Sequence, residues 1–445
     1  MDANECETHA ALSAAGVVVD VISEEAFHQG AADGADLVLL VRPSAELRDR
    51  VRERTTRTEG RLLITKDRVG AKTIRSGWGG RRLTGVSPRF SAMGSPHPRH
   101  RRRRWWRVFP SSSPFSGLMP EEAEEVLVRW GRSGPPALVG RTRGGFRCWR
   151  SGFSLDHLTR DDVVRLLGIL ADGAVQPKTF RSPIPTTARA VVLLLHDVEE
   201  PLAGDPRGTR SVIEGIETCL EAEAKYGYHA TYNIVGRFGD TIPDLVRRIA
   251  SEGHELASHS ATHQVMADLP LAALCTEVID AEASIARNGA SKIKGFRSPR
   301  SRWSADLLDC LAKRGYLWNS EADASPFPYR IPRGMPGSLL RIAVAVDDWD
   351  YVKRRATPKQ MLRTWMQEVR WALDRRCWVG IGSHPSVLGA DRGRLAAFSD
   401  FLAWLADESV EVMTHCRAGE WWLRRLNGAE DSPGQAEARF TMRRS

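Results

Sequence analysis

Val191-Val192-Leu193-Leu194-Leu195-His196-Asp197-Val198-Glu199-Glu200 is the stretch on which the reading of this chain turns. Five consecutive large apolar residues have the length and composition of a strand buried on both faces, the kind that parallel sheets use. The run then changes character within one residue and delivers a histidine and three carboxylates. In α/β folds the C-terminal ends of parallel strands are where reactive side chains gather. Taken alone, the acidic pair also suits an ordinary helix cap, so its meaning depends on what the rest of the chain supplies.

Working outward, residues 176–187 carry three prolines and no periodic apolar pattern, which reads as an extended linker. From Ala188 to about residue 426, strand-like and helix-like segments alternate, and that alternation predicts a βα-repeated layer or barrel. The tail, 427–445, is polar. Upstream, residues 1–175 hold the short β-branched runs Gly16–Val21 and Ala35–Val41, an acidic helix start at Pro120-Glu121-Glu122, a hairpin from Leu138-Val139-Gly140 to Gly144-Gly145-Phe146, and a helix from Thr159 to Leu170. These predict a smaller three-layer α/β domain ahead of the barrel.

The formal charge of +9 is concentrated in one place. Residues 68–120 contain 12 Lys and Arg and no Asp or Glu, leaving 52 basic against 55 acidic residues elsewhere. Nucleic-acid recognition by the folded remainder is therefore not expected. The basic stretch, densest at Arg99–Arg107, reads as a solvated loop inserted in the N-terminal domain. Binding of nucleic acid or anionic lipid by its arginines and tryptophans is the alternative, and a frame-shifted piece of a GC-rich coding sequence is a third. Seven widely spaced cysteines without a C-x-x-C pair argue against a disulfide framework or a cysteine zinc site. No apolar run reaches the roughly 20 residues of a membrane span, and the acidic start lacks a signal-peptide pattern, so a cytoplasmic protein is expected.

Three further stretches join the first. Gly253-His254-Glu255-Leu256-Ala257-Ser258-His259-Ser260-Ala261-Thr262-His263 reads as the end of a helix beginning near Pro243. The four-residue spacing of His259 and His263 would put both imidazoles on one side of a helical turn, where a carboxylate completes a metal site with one position open to water. Phe296-Arg297-Ser298-Pro299 is another strand end, with an arginine able to hold a carboxylate. Val379-Gly380-Ile381-Gly382-Ser383-His384-Pro385 ends an apolar strand on a histidine suited to general acid work.

In this order, the acidic strand end, G-H-E…H-S-x-x-H, F-R-S-P and S-H-P resemble the motifs of the polysaccharide deacetylase family over roughly residues 188–425. The resemblance implies a distorted (β/α) barrel, usually counted as seven-stranded, that removes acyl groups from sugars with a divalent metal. Zinc is the first expectation, with cobalt, nickel or manganese as alternatives. It implies that Asp197 is the base, Glu199, His259 and His263 the metal ligands, Arg297 the residue that orients the base, and His384 the acid. Where the family usually reads T-F-D-D, this chain has Leu195-His196-Asp197-Val198-Glu199, and the alternative puts Asp197 on the metal. Asn319 stands where the family often has an aspartate that tunes the acid histidine. Pro299, Trp318 and Asn319 are the expected substrate contacts, with Trp303, Trp349 and Tyr351 as further aromatic candidates for stacking on a sugar. A small acylated amino sugar or glycosylated metabolite is the expected substrate. The alternatives are a cyclic amide such as allantoin, or an inactive barrel that only binds. The N-terminal domain faintly resembles glutamine-amidotransferase-like domains, mainly in the hairpin and Gly152–Asp156, without their nucleophile cysteine, since Cys148 lies in the hairpin.

Overall fold

The computed structural model describes residues 183–289, 292–322, 326–331 and 339–426, together with six strands of the N-terminal part. The chain divides into two units near residue 180. In the first, strands β1 (Val38–Val41), β2 (Gly60–Thr65), β3 (Pro88–Phe90), β4 (Glu125–Trp130), β5 (Pro136–Arg143) and β6 (Phe146–Ser151) form a sheet in the order β1-β2-β6-β5-β4-β3. The expected hairpin is present as the antiparallel pair β5–β6, with Leu138, Val139 and Trp149 buried. Where the acidic helix start was expected to lead into a helix, residues 125–130 are a strand, because Val126-Leu127-Val128 pairs antiparallel with β5. The Gly16–Val21 run, the helix over 159–170, the Gly152–Asp156 stretch and the arginine cluster at 99–107 lie outside the described residues.

The second unit is built on β7 (Ala190–Val198), β8 (Thr231–Ile234), β9 (Glu255–Ser258), β10 (Gly295–Arg297), β11 (Trp318–Ala322), β12 (Tyr329–Arg330), β13 (Leu340–Val344), β14 (Val346–Asp347), β15 (Trp378–Ser383) and β16 (Val410–Met413). Apart from the short antiparallel β12, every pairing is parallel, in the order β12-β13-β11-β10-β9-β8-β7-β15-β14, with β16 added beside β7. Only Ala345 separates β13 from β14, so the two behave as one strand that pairs first with β11 and then with β15. The Ala345 N–H donates to Gly380 O at 3.0 Å across that seam, which draws the two edges of the curled sheet together. Counting β13–β14 as one and leaving aside β12 and β16, the described residues form a ring of seven parallel strands.

All nine residues of β7 are buried, as its apolar run requires of a central strand covered on both sides. Successive side chains alternate between barrel interior and helical layer. His196 therefore turns outward, against Phe398 and the helix Thr209–Tyr226, while Asp197 turns into the barrel. The helical layer is closed by large residues such as Trp365, Phe398 and Phe401, each less than 2% exposed. Among the described residues, no helix is long and apolar enough to cross a membrane.

Candidate active site

Because the strands are parallel, their C-terminal ends share one mouth, and the motif residues arrive there together. β7 contributes Asp197 and then Glu199, β8 contributes Asn233, and β9 is followed by His259. β10 ends on Arg297, β14 on Asp347 with Asp348 next, and β15 is followed by His384. These side chains are largely removed from water: Asp197, Glu199, His259, Arg297 and His384 are each at most 5% exposed.

The ligand atoms of Glu199, His259 and His263 lie within 4.8 Å of one another. His259 Nδ1 donates to Arg297 O at 2.8 Å, which fixes the tautomer and leaves Nε2 with its lone pair facing the mouth. Burial pushes the His259 pKa down to about 4 against the pull of Asp197, so the ring is neutral, the state a metal ligand needs. His263 Nε2 stands 2.8 Å from Glu199 Oε2, yet that buried oxygen has no hydrogen-bond partner. Two imidazoles and one carboxylate, converging with an orphaned oxygen, fit a divalent metal.

The two histidines are not on a helix. The helix starting at Pro243 ends at Ser251, β9 follows, and His259 to His263 form a turn in which Ser260 (φ 65°) and His263 (φ 60°) adopt left-handed backbone. The spacing of four brings the imidazoles together through this turn, with ring centroids 5.0 Å apart.

Opposite them, Asp197 receives Asn233 Nδ2 at 2.6 Å on Oδ1 and Arg297 Nε at 3.3 Å on Oδ2. Burial opposes its charge, but His259, Arg297 and His384 around it hold the carboxyl well below the usual carboxylate range. Glu199 is likewise lowered against the effect of burial, by His263 and His384. Arg297 is spread over three acceptors: Asp197, Asp347 Oδ2 at 3.1 Å and Ser320 O at 3.3 Å.

The partner of His384 is Asp348, which takes the His384 ring through Nδ1 at 2.6 Å and the His384 backbone N–H at 2.8 Å. Burial alone would lower His384, yet Asp348 first, then Asp197 and Asp347, raise it to about 10. Burial raises Asp348 in turn, and the imidazolium opposes that, so the pair is held as carboxylate and imidazolium.

This corrects the place given to Asn319. It is fully buried and bonded to Phe296 O and Glu321 Oε1, on the face of β11 opposite to Trp318. Trp318, also expected to touch substrate, lies away from the mouth. As the first residue of β11 it plugs the far end of the barrel, with its indole N–H on Glu255 at 2.8 Å and its ring against His415. Its ring lies so close over Gly295 that a Cβ there would fall 1.9 Å from Cζ2. Pro299 is buried in the turn after β10. Of the other aromatics, Tyr351 packs on Trp365, and Trp303 stacks under Arg341. Trp349 reaches the mouth: its N–H is 3.3 Å from Glu199 Oε1, and its ring meets His384 edge-on at 5.7 Å.

A family model for polysaccharide deacetylases matches residues 210–317, the stretch holding the paired histidines and F-R-S-P. Over those residues the chain is similar to the polysaccharide deacetylase family. The chain is 30% identical over 122 residues to a chitooligosaccharide deacetylase of Bradyrhizobium sp. (strain ANU 289), covering 25% of this chain and 56% of that protein. It is 28% identical over 97 residues to a chitooligosaccharide deacetylase of Sinorhizobium fredii (strain NBRC 101917 / NGR234), covering 22% and 45%. The chain thus spans about half the length of the curated relatives it matches. A solved structure from Mycobacterium smegmatis, assigned as a polysaccharide deacetylase, shares the fold with a TM-score of 0.50 at 21% identity, over 54% of this chain and 92% of that one.

Proposed function

We propose that the barrel is a metal-dependent hydrolase that removes an N-acetyl group from an amino sugar or glycosylated small molecule. The observation that carries this reading is the pairing, in one buried mouth, of the Glu199–His259–His263 cluster with an ionised Asp197 and a protonated His384. The two rhizobial relatives, named as chitooligosaccharide deacetylases, support the substrate class.

In this reading Glu199, His259 and His263 hold the metal, zinc first, with cobalt, nickel or manganese suited to the same donors. When bound it would supply Lewis acidity toward an acyl oxygen and a water. Asp197 takes the proton of the attacking water, aimed by Asn233 on one oxygen and Arg297 on the other. His384 carries its transferable proton on Nε2, since Nδ1 is bound to Asp348. That Nε2 stands 3.6 Å from Asp197 and 3.9 Å from Glu199. It donates to the amine nitrogen as the C–N bond breaks. Trp349 forms an apolar wall beside it.

The same proposal takes residues 188–426 as the catalytic unit and 1–175 as an accessory domain, working in the cytoplasm. The test is elemental analysis of the purified protein, together with acetate release from N-acetylglucosamine oligomers. Stoichiometric metal, and loss of both metal and acetate release in His259→Ala and His263→Ala, are expected. A metal-free wild type, or hydrolysis persisting in both variants, would sink the assignment. Ring opening of a cyclic amide without acetate release would favour that alternative.

A further inference from the structure

We propose that Glu277, which lies outside the mouth, sets the affinity of the metal site by clamping the turn that carries His263. It is a positioning residue, and the proposal rests on the metal reading above. Glu277 sits on the helix Leu271–Arg287 and is 8% exposed. Its Oε2 accepts the backbone N–H groups of Ala261 at 3.0 Å and Thr262 at 2.9 Å, and its Oε1 accepts the Thr262 hydroxyl at 2.7 Å. Those are two of the three residues between the paired histidines.

The clamp matters because the turn does not hold itself. Ser260 and His263 both have positive φ, a conformation that costs a side-chain-bearing residue energy and persists only where the surroundings over-determine it. Other bonds fix the carbonyl side of the turn: Gly236 N donates to Ser260 O at 2.9 Å, and Arg237 N donates to Ala261 O at 3.0 Å. His263 N donates back to Ser260 Oγ at 2.9 Å. The two central N–H groups go to Glu277, through charge-assisted bonds in a nearly dry setting. The helix that presents the carboxylate is itself anchored close by. Ser284 Oγ donates to Gly236 O at 2.7 Å, and a Cβ on Gly236 would lie 3.1 Å from Ala281 Cα. Released from this clamp, the turn can relax toward ordinary backbone angles, carrying His263 away from Glu199.

The test is competition of the full-length chain, stripped by chelator, for Zn²⁺ against a chromophoric chelator, with melting of each metal-free variant alongside. Glu277→Ala should weaken zinc binding about tenfold or more, in the range of outer-shell substitutions. Glu277→Gln, whose amide oxygen can accept both N–H groups while its NH₂ meets the Thr262 hydroxyl, should recover most of that loss. A purely structural role would lower the metal-free melting temperature while leaving zinc affinity alone. Zinc affinity in Glu277→Ala within twofold of wild type overturns the proposal. So does a Glu277→Gln variant that melts like wild type yet binds as weakly as Glu277→Ala. If Glu277→Ala does not fold, Thr262→Val reads the clamp instead: a loss of about fivefold is expected, the worth of one hydrogen bond, and unchanged affinity overturns it. A wild type that takes up no metal overturns this proposal and the metal-dependent reading together, whereas an unaffected Glu277→Ala overturns this one alone.

Discussion

Asp348→Asn isolates the charge that keeps His384 protonated. His384 stands at about 10, against an ordinary 6.5, in a fully buried setting that by itself would lower it. The neighbouring carboxylates therefore supply more than the whole rise, and Asp348 supplies the largest part. Asparagine keeps the shape but removes the charge, and its NH₂ cannot accept the His384 backbone N–H that Asp348 Oδ2 takes at 2.8 Å. With His384 back at 6.5, about a tenth of the acid is protonated at pH 7.5, so protonation alone costs about tenfold in rate. Burial deepens that loss, while Asp197 and Asp347, which remain, oppose it. The assay is the pH profile of kcat/KM for acetate release: the alkaline limb should move down by two or more pH units, with the acid limb unchanged. Stability should follow the same charge. Because the folded value lies above the unfolded one, the pair stabilises the metal-free fold fully below pH 6.5, and the contribution drains away as pH rises toward 10. Urea midpoints of the metal-free wild type should therefore fall over that window, and those of the D348N variant should be flatter. An alkaline limb that coincides with wild type would refute the assignment of Asp348 as the residue that charges the acid.

Arg297→Lys keeps the charge but cannot serve Asp197, Asp347 and Ser320 at once, so kcat should drop about 10–100-fold with an unchanged far-ultraviolet spectrum. Wild-type turnover in this variant would contradict the orienting role. Gly295→Ala drives a methyl into the Trp318 ring and should cost about 2–3 kcal/mol or more in denaturant unfolding. Equal stability would mean that Trp318 does not plug the barrel floor as described. His196→Phe restores the aromatic usual in the resembled motif but strips Glu223 Oε1 and Ser383 Oγ of their buried partner. Here a loss of about 2–4 kcal/mol is expected from the same measurement, and a more stable variant would count against it.

Most of the residues that meet in the mouth are legible because they sit in a short contiguous signal: an apolar strand that ends abruptly on polar side chains. Asp197, Arg297 and His384 follow that rule, and parallel strands bring such ends together, whereas the stretch holding His259 reads as a helix end and in fact follows β9. Asp348 and Asn233 obey the same rule more faintly. β14 is two residues long and β8 only four, too short for a periodic pattern to announce them. Asn319 stands in the linear order where a partner for His384 is expected, whereas the side of β11 on which it falls depends on the strand's register. Trp318 and Trp349 look alike as letters. One is the first residue of a strand and the other follows a strand end, and that difference puts them at opposite ends of the barrel.

What the sequence by itself determined is the succession of elements and the identity of the groups at their ends, because burial periodicity and strand-end chemistry are local properties of the chain. The closing of the sheet through Ala345 and Gly380, the left-handed turn that swings His263 onto Glu199, and the choice of Asp348 as partner of His384 were decided only by tertiary structure. Each of these joins residues on different strands, or imposes backbone angles that the residues would not adopt alone. Their physical cause is the packing of the whole barrel.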